Sequence, residues 1–298
     1  MNDELKPIND YVISVDSNAD LTEEEENELG VKIIHMEVTF DGNVYFKDSY
    51  IENEKFYKDI KNGLVPKTTQ ITSSRFKEYF ESFLKYNKSV LHISFSSGLS
   101  GTYNQALIAA NELNKKYESC KVLVLDSLCA SVGEGLLVHY ACMKKKQENL
   151  SLDQLFNWLN KVRFNIHHIF TVDDLFYLKK GGRISAAKAA FGTMLSIKPI
   201  LEINKFGKLY ITSKVRGINS SADYIVKTME ERFTSNKDFG KVVLAHTLNF
   251  EGIHILKNLI KQRLNITDIS VNFIGPSIGA HLGTGTIAAV FYGSEREK

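Results

Sequence analysis

Between residues 90 and 146 the chain alternates strand, helix, strand, helix over short connections. Residues 90–94 and 122–125 are apolar, β-branched runs, and 102–117 and 131–146 carry apolar residues at helical spacing. No proline lies between Pro66 and Pro199, so nothing interrupts the intervening helices. Such alternation predicts a mainly parallel sheet with helices on its faces. At 298 residues the chain is about twice the usual domain size, which predicts two lobes. The texture changes near residues 148–153, and the boundary is expected there: an N-terminal α/β lobe over 1–150 and an α+β lobe over 151–298.

The flanks fill in this plan. A strand over 11–15 stops at Asp16-Ser17, and Thr22 with Glu25 forms a capping box. Residues 31–40 read as one extended run, joined to 44–46 through the hairpin signal Asp41-Gly42-Asn43. A helix is predicted over 52–61, a loop over 63–72, and a helix capped by Ser73 or Ser74 with Phe76, Phe80 and Leu84 on one face. In the second half, strands over 199–203 and 209–212 surround a turn at 204–207. Further strands are expected at 168–171, 242–246, 269–274 and 286–292, with more antiparallel pairing. The uncharged stretch from Ile269 to Ser294 holds Asn272, Pro276 and many Gly and Thr. In lipid its backbone would go unsatisfied, so 275–285 reads as a buried glycine-rich loop.

Composition excludes several classes. Lys plus Arg number 37 against 35 Asp plus Glu, so nothing demands a nucleic-acid partner. The three cysteines form no C-x-x-C pair, which fits neither a disulfide framework nor a zinc site and suggests a reducing, cytoplasmic setting. The N-terminus Met1-Asn2-Asp3-Glu4 is acidic where a signal peptide would be basic. His167 and His168 would point to opposite faces of a strand, and His139 with Cys142 lacks a third ligand, so no metal site is expected.

The chemistry-bearing candidates are loops. Ser96-Ser97-Gly98-Leu99-Ser100-Gly101-Thr102 joins a strand to a helix, where open α/β sheets bind ligands. It lacks the Lys of a phosphate-binding P-loop and does not match G-x-S-x-G. The plainer reading of the same pattern is a Ser/Gly turn that merely caps the helix. Lys67-Thr68-Thr69-Gln70 offers two hydroxyls before a helix, where Thr is usually a cap, and His281 stands among small residues that leave room for a ligand.

Taken in order, these loops resemble one family. Asp16-Ser17, Thr68-Thr69-Gln70, the Ser96–Thr102 loop, Asp126-Ser127, Leu178 to Ser185, Lys198-Pro199-Ile200-Leu201, Val215-Arg216 and the 275–285 stretch together resemble the DegV family of bacterial fatty acid-binding proteins, including subunits of fatty acid kinase. The resemblance spans nearly the whole chain. It implies two α/β lobes with a long-chain fatty acid buried between or within them, and no further cofactor. It also implies carboxylate contacts from Thr68, Ser97 and His281, with Thr69 and Ser96 as neighbouring alternatives. Arg216, and less directly Arg183, match positions that dock a separate kinase, which phosphorylates the presented carboxylate. Ile71 stands where the family often has Pro, Thr69 replaces its Ser, and Leu282 and Thr284 replace Thr and Pro; these changes leave chain preference open.

The physical chemistry agrees. Burying an acyl chain gives roughly 0.8 kcal/mol per methylene, or about 11 kcal/mol gross over some fourteen, against the costs of association. Hydroxyls and a His then need only orient the head group. The competing reading is a serine hydrolase using Ser97 and His281 on a lipid ester. It would require an orienting third group and an oxyanion hole that no motif declares.

Overall fold

The computed structural model of the chain describes residues 10–40, 43–44, 53–184, 197–234 and 239–296. Two sheets dominate. The first takes β1 (Tyr11–Asp16), β2 (Lys32–Ile34), β6 (Ser89–Ser94) and β7 (Val122–Asp126) in the order β2-β1-β6-β7, all parallel. Its strands read as nearly unbroken apolar runs because helices cover both faces. The crossovers are α1 (Glu23–Leu29), α3 (Ser73–Leu84) and α4 (Thr102–Lys116), followed by α5 (Val132–Glu148). The capping box at Thr22 and Glu25 forms as the sequence predicts.

The second sheet is mixed, in the order β10-β9-β8-β13-β11-β12. It comprises β8 (Ile166–Thr171), β9 (Ile197–Ile203), β10 (Leu209–Arg216), β11 (Val242–His246), β12 (Ile269–Phe273) and β13 (Ile287–Tyr292), with only β11 and β12 parallel. Helices α8 (Gly217–Arg232) and α9 (Phe250–Leu264) pack on one face through Ile225, Met229, Leu256 and Ile260. The opposite face turns toward the first sheet. There Leu137 of α5 and Leu155 of α6 (Leu152–Val162) join Val15 and Leu91 of the first sheet and Phe170 and Val290 of the second in one apolar core.

Three local expectations need correction. The run over 31–40 is two strands in different sheets. β2 stays with β1, whereas β3 (Glu37–Phe40) pairs β4 (Asn43–Val44) and β5 (Lys67–Thr69) in a small antiparallel sheet. Asp41 and Gly42 of the hairpin signal lie outside the described residues, as do residues 45–46. The expected 63–72 loop therefore contains a strand, and Thr72, rather than Ser73 or Ser74, caps α3 by accepting from Arg75 N. The glycine-rich stretch is not a loop throughout. It forms α10 (Pro276–Leu282), started by Pro276 in the first turn and ended by Gly283 at φ 71°. Helices α2 (Asn53–Lys61) and α7 (Phe176–Lys180) flank it. No described helix is long and apolar enough to cross a membrane.

Candidate functional site

Between the two sheets lies a cavity holding about 790 Å³ of empty space, counted out to its open mouth. Its wall is mostly apolar, with Phe95, Leu99, Phe170, Ile203, Leu209 and Val290 among the lining residues. Thr68, Ser100, Arg183 and His281 interrupt this surface with polar groups.

The small sheet delivers Thr68. In a strand, neighbouring side chains face opposite ways. Thr68 accordingly sits half-buried on the cavity while Thr69 is exposed. Thr68 Oγ1 lies 3.0 Å from His281 Nε2, which α10 projects from its last turn. Burial, and then the nearby Arg183 charge, lower the His281 pKa to about 4, so the imidazole is neutral near pH 7. Arg183 is half-buried. It donates from Nε to the Leu99 carbonyl (3.1 Å) and from Nη1 to the Gly181 carbonyl (2.5 Å). Burial also lowers its pKa. Donors and one permanent cation thus converge on a largely apolar cleft, an arrangement that suits a ligand with one anionic end.

The serine loop differs from expectation. Ser97 is exposed, and its backbone N–H donates to Asp126 Oδ1 at 3.1 Å. It does not line the cavity, so the structure does not bring it to Thr68 and His281. Ser96 is buried but ties the loop to the β9–β10 turn by donating to the Gly207 carbonyl at 2.8 Å. Ser100, at the end of the loop, does line the cavity. Its Oγ is 2.9 Å from Thr102 Oγ1 and accepts from Thr102 N at 3.2 Å. Sequence reasoning missed Ser100, although its place just before α4, at the carboxyl end of β6, is where such sheets bind ligands.

Arg216 ends the edge strand β10, serves as the residue before α8, and is exposed away from the cavity. Asp16 of the first motif turns inward. Its Oδ2 accepts from Phe95 N (2.9 Å) and its Oδ1 from Asn18 Nδ2 (2.5 Å), which fixes the start of the serine loop. His167 and His168 do face opposite ways, only His168 lining the cavity. Among the described residues no group of three His, Cys, Asp or Glu could hold a metal ion.

Fold and cleft together define a two-sheet α/β protein with a largely apolar cavity between the sheets. The DegV family model, described as an uncharacterised protein of that family, matches residues 11–294. A DegV domain-containing protein of Clostridium perfringens is 37% identical over 289 residues, 96% of this chain and 99% of the relative. One from Lactococcus lactis is 34% identical, covering 93% and 96%. The chain belongs to the DegV family.

Solved structures agree. A fatty acid-binding DegV family protein from Thermus thermophilus superposes with a TM-score of 0.83 at 26% identity, over 95% of this chain and 99% of that one. A stearic acid-binding protein from Eubacterium ventriosum gives 0.83 at 26%, over 95% and 98%. A DegV lipid-binding protein from Thermotoga maritima gives 0.80 at 27%, over 97% and 100%.

Proposed function

We propose that this protein binds a long-chain fatty acid in the cavity between its sheets, with the carboxylate at Thr68, His281, Ser100 and Arg183. The observation that carries this reading is the pairing of Thr68 Oγ1 with His281 Nε2 at 3.0 Å on the wall of a mostly apolar cleft. The fatty acid and stearic acid binding named for the Thermus and Eubacterium proteins supports it. A hydrophobic chain supplies affinity and the polar cluster supplies orientation. The test is mass spectrometry of small molecules released by denaturing protein purified from cells. Near-stoichiometric long-chain fatty acid is expected. A ligand-free preparation that also fails to bind added acid would defeat the reading.

The finer proposal is that the protein is a non-catalytic, cytoplasmic carrier that presents the carboxylate to a separate fatty acid kinase. Its support is the family resemblance at Val215-Arg216 and the exposed guanidinium there. Arg216→Ala should keep fatty acid affinity and lose kinase-dependent acyl phosphate formation. Arg216→Glu should lose more, because it adds repulsion to the lost contact. Full phosphorylation by both variants would remove Arg216 from docking. A parallel loss of lipid binding would assign it to the pocket.

A further inference from the structure

The register of the second sheet locates the inner end of the cavity. On the face toward the first sheet, Thr286 just before β13, together with Ala288 and Val290 within it, contributes to the wall, and β8 contributes Phe170 and His168. Ala288 pairs with Phe170 and Val290 with His168. His168 lies one step past the Ile169–Glu202 pair, beside Ile203, which in turn pairs with Leu209. Val290, His168, Ile203 and Leu209 thus form one row across four strands, and all four line the cavity. The next residues on that face, Ile166 and Tyr292, pair with each other and do not line it. From Thr286, just before β13, to Val290 in this last row is four residues, about 13 Å at the rise of a strand, which roughly ten carbons of an extended chain would cover.

His168 is the one polar side chain in that row, and it is held in place. It is buried, and Ala130 at the approach to α5 donates its N–H to His168 Nε2 at 3.2 Å. That bond puts the ring proton on Nδ1. The Ile166 carbonyl, two residues back on the strand, favours this proton without meeting it in hydrogen-bond geometry. At Gly133, in the first turn of α5, a Cβ would overlap the His168 ring, so the ring fills the space the glycine leaves. The imidazole therefore spans from the second sheet to the start of α5 and closes the gap between them.

We infer that His168 is the stop at the inner end of the cavity and sets how long an acyl chain the protein accepts. This rests on the fatty acid reading above. A stiff, clamped ring across the path of the chain resists the extra carbons of a longer acid, whereas a flexible side chain would yield.

The experiment measures affinities of the delipidated full chain for straight saturated acids of about twelve to twenty carbons. In the wild type, affinity should climb with length and then fall by about tenfold or more once the chain passes the stop. His168→Asn keeps an acceptor for Ala130 N–H on a shorter side chain, and His168→Ala removes it. Either folded variant should move the optimum to longer acids. The same optimum in a folded variant overturns the inference. A measurement needing no variant is photocrosslinking of the wild type with an acid carrying a terminal diazirine, at the length of tightest binding. Adducts on His168, Val290, Ile203 or Leu209 support the stop, and adducts confined to the Asn18 and Met36 wall overturn it. Failure of the wild type to bind any acid would sink the fatty acid reading itself. Binding indifferent to length would sink only the stop.

Discussion

Thr68 and His281 stand 213 positions apart in the chain and 3.0 Å apart in the fold. The small sheet carries the first and the short helix α10 the second, and each meets the other on the wall of the cavity. Replacing Thr68 with Val keeps the shape and removes the hydroxyl. A lost hydrogen bond to a carboxylate costs about 1.5–3 kcal/mol, so fatty acid affinity should fall roughly ten- to a hundredfold. Thr68→Ser should keep most of it. Titration calorimetry on delipidated protein reads both, and equal affinities for Val and Ser would detach Thr68 from the head group.

Ser97 and Ser100 make opposite predictions. Ser100 lines the cavity while Ser97 is exposed on the far side of the same turn. Ser100→Ala should therefore weaken fatty acid binding, and Ser97→Ala should leave it unchanged. A larger loss from Ser97→Ala would mean that the loop rearranges around the ligand.

These two serines show what the sequence made legible. Alternating apolar runs have a period that survives packing, so the parallel sheet, its crossover helices and the antiparallel second half were readable. The loop motifs named the segments that reach the cavity but not the face each residue shows, because turns have no fixed periodicity. Within the strand β5 alternation does separate Thr68 from Thr69, but a three-residue strand after Pro66 carries too weak a pattern to be recognised alone. Helix α10 was hidden for a related reason. Gly279 within it lowers helix propensity, and glycines at both ends read as loop; the helix is held instead by contacts from α2, α7 and the small sheet.

Proton linkage offers an independent check on His281. Burial and the Arg183 charge hold its pKa near 4 in the free protein, below the ordinary 6.5. A carboxylate beside Nε2 favours the imidazolium and raises that value in the complex. Between the two pKa values binding takes up a proton, so affinity should rise as pH falls through that window. Calorimetry at about pH 6 in buffers of different ionisation enthalpy should detect more uptake in the wild type than in His281→Asn. Equal uptake in both would show that the proton goes elsewhere, the fatty acid's own carboxyl included.

The position of α10 depends on Tyr57, a fully buried side chain of α2. Its hydroxyl donates to the Ile274 carbonyl at 2.5 Å, just before α10, and the same hydroxyl, with the end of the ring that carries it, occupies the place a Cβ would take at Gly279. Gly279→Ala should therefore push α10 and His281 away from Thr68. Overpacking of this kind costs about 1–3 kcal/mol. A fall in both melting temperature and fatty acid affinity is expected. Tyr57→Leu loses the hydroxyl bond but frees space, and in that background Gly279→Ala should cost much less, because neighbouring sites that share a contact are not additive. The four proteins of this double-mutant cycle can be compared by thermal unfolding and by ligand titration. An alanine penalty of the same size with and without Tyr57 would show that Gly279 is needed for the helix backbone itself, and that Tyr57 does not set where His281 stands.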